Sequence, residues 1–300
     1  MIDVSVVICA LNEERRIGRQ LAALDAQIDA PPFEVIVVDN GSTDGTVAVV
    51  QEWIRSSPHA AVGMRVVDAS NTPGIPAARN AGARAAEGRV LAYCDADDEV
   101  QPGWVAAIAH GVQGTTIAGG RLIAFASDGT CRGDLYGGLV ATSYLPHIGC
   151  ANAAVDRLTF LEVGGFDESL PRYGFEDVDL SWRMQEAGHQ IVYLPDAVVH
   201  FFLSGSRASV RKRFELGKGR VLMARRFPRY DANDYTVRST VRDAGRAGGC
   251  LLRTLVTQRQ IDTRLASQAV AAAGRVAGAV VYRKSSIPPR RLLADRPEPR

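Results

Sequence analysis

The chain has 300 residues, 46% of them apolar, enough to bury a full core as one large α/β domain or as a domain with an appendage. No run of about 18 uncharged apolar residues occurs, and the chain enters a strand-like run within its first few residues. Neither a spanning helix nor a cleaved leader is expected. The cysteines Cys9, Cys94, Cys131, Cys150 and Cys250 are odd in number and none sits in a C-x-x-C pair, which argues against structural zinc and a disulfide framework and for reduced thiols in a cytoplasm. The net charge of +2 hides a division. Residues 1–205 carry 13 Lys/Arg against 26 Asp/Glu, and residues 206–300 carry 22 against 7, so the two parts have different partners to find.

The β-branched run Val4-Ser-Val-Val-Ile-Cys-Ala10 predicts a buried parallel strand. Ile17, Leu21 and Leu24 then share one face of a helix. A second strand over Phe33–Val38 ends at the turn-rich Asp39-Asn-Gly-Ser-Thr-Asp-Gly45, and a helix follows from Thr46 to about Arg55. Met64–Asp68 reads as a third strand, Ile75–Ala86 as a helix and Arg89–Cys94 as a fourth strand. This alternation predicts an α/β fold, a mostly parallel central sheet with helices on both faces. Ligands of such sheets sit at the carboxyl ends of the strands, which here carry Ala10–Glu13, Asp39–Asp44 and Asp95–Asp98. The section 99–205 is less regular, with strands at Thr116–Ala126 and Gln190–Leu194 and a helix near Asp177–Ala187. Helical stretches follow around 207–226, 238–258 and 262–283, and the Pro-rich end from Pro288 to Arg300 is expected to fray.

Three residue groups invite chemistry. Asp95-Ala-Asp97-Asp98 puts three carboxylates in four residues directly after a buried strand. It is either a solvated acidic turn or a seat for a hard divalent ion such as Mg2+ or Mn2+, which takes oxygen ligands and bridges to phosphate. In Tyr173-Gly-Phe-Glu-Asp177-Val-Asp179, Asp179 and Arg183 lie four apart and can pair on a helix, leaving Glu176 and Asp177 to face a cleft. Asp177 is then either a helix cap or a general base. His200, after the apolar Ala197-Val-Val199, is either a packed core residue or a neutral metal ligand. Asp39 is a turn-former or a nucleotide contact. Neither the G-x-G-x-x-G dinucleotide fingerprint nor the G-x-x-x-x-G-K-[ST] phosphate loop is present, which weighs against a dehydrogenase and an ordinary NTPase.

Taken together, these segments resemble the family 2 glycosyltransferases of the GT-A fold. The resemblance rests on Val4–Glu13, Glu34–Thr46, Gly74–Gly82, Gly149-Cys-Ala-Asn152 with Val163–Asp167, and Phe175-Glu-Asp177, in the family's order across about residues 3–202. It implies a GT-A domain over 1–205, with a nucleotide-binding half at 1–98 and an acceptor half at 99–205, followed by a basic helical extension at 206–300. It implies an inverting, metal-dependent transfer from a nucleotide-diphospho-sugar, with UDP-sugar ahead of GDP- or dTDP-sugar, to a glycan, lipid-linked or small-molecule acceptor in polysaccharide or glycolipid biosynthesis. By similarity Asp39 contacts the nucleobase, and Ala10, Leu11 and Glu13 line the nucleotide pocket. Asp95 reaches the ribose or the diphosphate, Asp97 is the direct metal ligand and His200 a further one. Arg79 lies near the donor phosphates, and Asn152 and Trp182 near the sugar. Asp177 is the implied base, with Glu176 beside it. The first strand ends in Cys-Ala-Leu-Asn where the family more often has Pro-Thr-Tyr-Asn, so an aromatic stack on the base is lost there.

The extension holds Arg207, Arg211, Lys212, Arg213, Lys218, Arg220, Arg225, Arg226 and Arg229 interleaved with apolar residues. Such a stretch either packs on the catalytic domain or meets an anionic membrane from the cytoplasmic side. No aromatic-basic module supports nucleic acid. The rival readings are a retaining transferase on the same fold, a sugar-phosphate nucleotidyltransferase and a non-catalytic sugar-nucleotide module. The nucleotidyltransferase would carry a Gly-rich basic loop after its first strand, where this chain has Ala10-Leu-Asn-Glu-Glu-Arg-Arg16.

Overall fold

The apolar run Val4–Ala10 forms β1, buried almost throughout. Its polar exception, Ser5, donates to Glu34 Oε1 at 2.6 Å and accepts from the Gly88 N–H at 2.8 Å. The computed structural model describes residues 1–56, 61–136, 138–171, 173–203, 210–231, 233, 235–283, 285 and 287–293. β1 lies between β2 (Phe33–Asp39) and β4 (Val90–Asp95), parallel to both, and β3 (Gly63–Asp68) extends the sheet beyond β2. Alternate β1 side chains enter different cores. Val4, Val6 and Ile8 pack with Ile17, Leu21 and Leu24 of α1 (Ile17–Asp25) and with Val50 of α2 (Thr46–Ser56). Val7 packs with Ala78 and Ala83 of α3 (Ile75–Ala85) on the other face. The two-faced parallel half expected from the sequence is therefore present, with boundaries within two residues of those predicted.

The following half adds antiparallel pairs, so the sheet as a whole is mixed. It comprises β5 (Glu99–Val100), α4 (Trp104–Gly111), β6 (Thr116–Phe125), β7 (Cys131–Tyr136), β8 (Asn152–Asp156), α5 (Arg157–Glu162), α6 (Glu176–Glu186) and β9 (Gln190–Phe202). β8 inserts antiparallel between β4 and β6, β6 runs parallel to β9, and β5 pairs with the end of β9 so that Glu99 faces His200.

Three helices close the chain: α7 (Val210–Arg226), α8 (Val237–Gln258) and α9 (Thr263–Val281). α7 and α9 cross at glycines. A Cβ at Gly217 would stand 2.1 Å from the Ala271 carbonyl oxygen, and one at Gly274 would stand 2.1 Å from that of Phe214. α7 also docks on the part of the chain that holds the sheet. Val221, Leu222, Met223 and Phe227 form a third core with Trp182 of α6. Arg226 pairs with the fully buried Asp167, which also accepts from the Arg291 N–H at 3.0 Å. Burial alone would raise the Asp167 carboxyl. Hydrogen bonds from Ser169, the Arg226 charge and the Arg291 N–H outweigh it and hold it below its ordinary range. The expected fraying of the end is corrected for its described part: Leu293 is buried and donates its N–H to the Gly164 carbonyl at 2.7 Å, and Arg290 reaches Asp179 at 3.4 Å. Residues 294–300, like Arg207 of the basic stretch, lie outside the described residues.

Candidate active site

Strand register sets the site. Ala10 pairs with Asp39 and Cys9 with Asp95, so β1, β2 and β4 finish level and their following loops meet. Asn12 stitches two of those loops together: its N–H donates to Ser42 Oγ at 3.0 Å and its Oδ1 accepts from the Thr43 N–H at 2.8 Å. Between them opens a pocket of about 250 Å³. Ala10, Leu11, Glu13, Arg79, Asp95 and Asp97, all singled out from the sequence, line it. Cys9, Asn40, Gly74, Ile75, Ala96 and Tyr173 complete the lining. Tyr173 and Asn40 were missed as site residues although both flank quoted motifs, because adjacency to a motif does not say which way a side chain points. Gly74 caps the N-terminus of α3, with its N–H on Asn40 Oδ1 at 3.2 Å, so a helix dipole opens at the pocket and favours an anion there. Asp39 stands opposite Ala10 and next to Asn40, and its carboxylate accepts from the Ser42 N–H at 3.0 Å.

The pocket is acidic and short of positive charge. Arg16 bridges Glu13 at 2.6 Å and Asp97 at 3.0 Å, yet Glu13 is pushed up to about 7, by burial first and by the Asp97 charge next, against the pull of Arg16. Burial also raises Asp95, which is open to the pocket but packed round by protein elsewhere. Arg79 opposes that rise, and Asp97 and Glu176 add to it. Asp98 points away from the pocket. It is buried, accepts from the Phe202 N–H at 3.0 Å and ties β9 to the acidic turn.

Arg79 joins this donor side to the α6 side. Its guanidinium is almost wholly buried, 2.9 Å from Glu176 Oε1 and 3.6 Å from Asp95 Oδ1. Glu176 is therefore engaged by Arg79, and neither it nor the adjoining Asp177 lines the pocket. α6 starts at Glu176 with Phe175 as its N-cap, so Asp177 is not the cap. Burial, then the Glu176 charge, push Asp177 up to about 7, with Arg79 and the Val178 N–H pulling the other way. A carboxyl so poised takes up and gives up a proton near neutrality. The expected Asp179–Arg183 pair forms at 2.6 Å, buried rather than on the surface.

The backbone before Asp177 is strained. Gly174 and Phe175 have φ of 76° and 73°, and for Phe this left-handed conformation costs on the order of 1 kcal/mol or more. α7 holds it in place. A Cβ at Gly174 would meet Leu216 at 2.6 Å, and one at Gly219 would meet the Phe175 ring at 2.9 Å.

Three expected site residues fall elsewhere. Asn152 is a buried tie: it accepts from Trp104 Nε1 at 2.9 Å and donates to the Arg121 and Ala197 carbonyls at 2.9 and 2.8 Å. Trp182 is fully buried, with its indole N–H on the Leu145 carbonyl at 2.8 Å. Neither lines the pocket. Asn152→Ala and Trp182→Ala should each lower unfolding stability by about 2–4 kcal/mol, measured by urea titration, while leaving donor KM of the folded fraction unchanged. His200 packs on Phe125 with ring centroids 4.6 Å apart and the rings tilted by 49°, and among the described residues no three His, Cys, Asp or Glu side chains converge as a metal cage. Asp95, Asp97 and His200 thus do not form a ready-made site. The pocket still suits a hard divalent ion held by one or two carboxylates and completed by substrate phosphates, because Asp95 and Asp97 offer oxygen ligands beside Glu13 in one pocket.

The mixed sheet with helices on both faces is that of the GT-A fold. The chain matches the model described as Glycosyl transferase family 2 over residues 5–134. It is 27% identical over 227 residues to the glycosyltransferase AglE of Haloferax volcanii, covering 73% of each chain. It is 29% identical to the pre-mycofactocin glycosyltransferase of Mycobacterium tuberculosis, covering 66% of this chain but only 42% of that one. Its fold is similar to that of the mannosyltransferase PcManGT from Pyrobaculum calidifontis in complex with GDP-Man and Mn2+, at TM-score 0.56 and 19% identity, covering 94% of this chain and 75% of the other.

Proposed function

We propose that this chain transfers a glycosyl group from a nucleotide-diphospho-sugar to an acceptor hydroxyl, inverting the anomeric centre with the help of Mg2+ or Mn2+. The observation that carries the reading is the Asp95–Arg79–Glu176 bridge, which links the acidic pocket to the start of the helix that carries Asp177. Asp97 and Asp95 would hold the cation, which when bound supplies charge neutralisation at the diphosphate. Ala10, Leu11 and Asp39 border the nucleoside, and the α3 N-terminus with Arg79 favours its phosphates. Asp177 accepts the acceptor's hydroxyl proton as that oxygen attacks opposite the departing nucleotide. Positioning and fixed charge supply most of the rate. The donor is a UDP-sugar, or its GDP or dTDP counterpart, and a glycan, a lipid-linked alcohol or a small molecule meets the acceptor chemistry. The C-terminal helices bring the enzyme to an anionic membrane face.

A panel of nucleotide sugars, each with and without Mn2+, tests the reading by thermal shift. The cognate donor should raise Tm by several degrees only with the metal, since binding to the native state alone adds stability. Metal-independent or absent shifts across the panel would overturn it. NMR of the product anomer decides between inversion and retention.

A further inference from the structure

One flank of α8 is apolar and uncovered. Val237, Val241, Leu252 and Leu255 are 45%, 52%, 61% and 40% exposed. At about 100° per residue they fall within one narrow sector of the helix. The neighbouring sector, with Thr240, Ala244, Ala247 and Leu251, is the more shielded one and packs on α9. On the far side of the apolar stripe stand Arg238, Arg242, Arg246 and Arg253, and Asp243 is the helix's one acidic residue, 4.0 Å from Arg246. Among the described residues no helix is long and apolar enough to cross a membrane, so a bilayer could be met only along the helix axis.

The basic run at 211–229 is a poorer candidate for such a contact. Arg226 is spent on Asp167, Arg225 on the Tyr235 carbonyl, Arg213 on Ser267 and Arg220 on the Tyr235 hydroxyl. Half of the basic residues in that run are thus tied to partners within the chain, although Arg211, Lys212 and Arg229 stay exposed.

We infer that α8 lies in the plane of an anionic lipid bilayer, its apolar stripe at the boundary of headgroups and acyl chains and its arginine row on the lipid phosphates. An amphipathic helix with arginines flanking an apolar strip meets the physical requirements of that interface. A second copy of the chain fits worse, because it would bring the same arginine row to the contact with only Asp243 to offset it. The inference rests on the transferase reading in one respect: a lipid-borne acceptor would then be presented where the enzyme docks.

The test is sedimentation of the full chain with vesicles of phosphatidylcholine, with and without one third phosphatidylglycerol, at low and high salt. The parent should pellet with the anionic vesicles at low salt. Leu252→Glu/Leu255→Glu should weaken this about tenfold or more, and each of Arg242→Ala and Arg246→Ala about fivefold at low salt. All four side chains are remote from the pocket, so Mn2+-dependent donor binding should be unchanged in every variant. Equal pelleting of parent and leucine variant overturns the inference, as does equal binding to uncharged vesicles. Self-association without vesicle binding, abolished by the leucine variant, assigns the face to a second copy and overturns it too. Vesicle binding without any metal-dependent donor binding leaves the docking surface standing and removes the transferase reading instead.

Discussion

Asp177→Asn should lower transfer by about three orders of magnitude while Mn2+-dependent donor binding survives. The amide keeps the shape and cannot accept the proton, so the loss should fall on kcat rather than on donor KM. In the parent, kcat/KM should fall below about pH 7 as Asp177 takes up its proton. The residual activity of the variant should lack that limb. Stability moves the other way. The folded pKa lies above the unfolded one, so the folded chain binds the proton more tightly and loses stability as pH rises from about 4 to about 7. At pH 8 the parent bears the full cost of a shielded carboxylate, and the variant should melt several degrees higher, a gain on the order of 2 kcal/mol. Parent-like turnover in Asp177→Asn would remove the residue from the mechanism.

The double variant Asp95→Ala/Asp97→Ala should lose about a thousandfold in kcat/KM and all of the manganese-dependent part of donor affinity, read by calorimetry with and without the ion. In metal-free buffer it should melt at or above the parent, because Glu13 and Asp95 are now raised partly by crowding among these carboxyls. A double variant that still binds donor in a metal-dependent way would mean the cation is held elsewhere.

The parallel half could be read in advance because β1 and β2 are β-branched runs and β4 opens on five apolar residues, Val90–Cys94, all buried on both faces. β8 could not: Asn152-Ala-Ala-Val-Asp156 has one β-branched residue, and its strand form comes from pairing with β4 and β6. α5 is six residues long and begins because Asp156 caps the Thr159 N–H, too short a stretch to leave a periodic signal. Ala10 and Asp95, on strand ends, reached the pocket because register carries them there, while Asp39, on the end of β2, does not line it. Asn152 and Trp182 did not reach it, since a match of sequence blocks gives order along the chain and not side-chain direction. The partners of Arg226 and Arg290, Asp167 and Asp179, lie 59 and 111 residues away, so counting charge in the tail could not distinguish a buried clamp from a free basic face.

The left-handed turn at Gly174–Phe175 has a consequence for recombining such enzymes. Its seat is made by α7, and neither piece belongs to the stretch 5–134 that matches the family model. A chimera that exchanges only the acceptor loop, or only the tail, would pair a contorted turn with a foreign wedge and leave buried aspartates facing no cation. Grafts that change what the enzyme glycosylates should therefore carry 163–179, 210–226 and 287–293 across together, as a single inherited cassette.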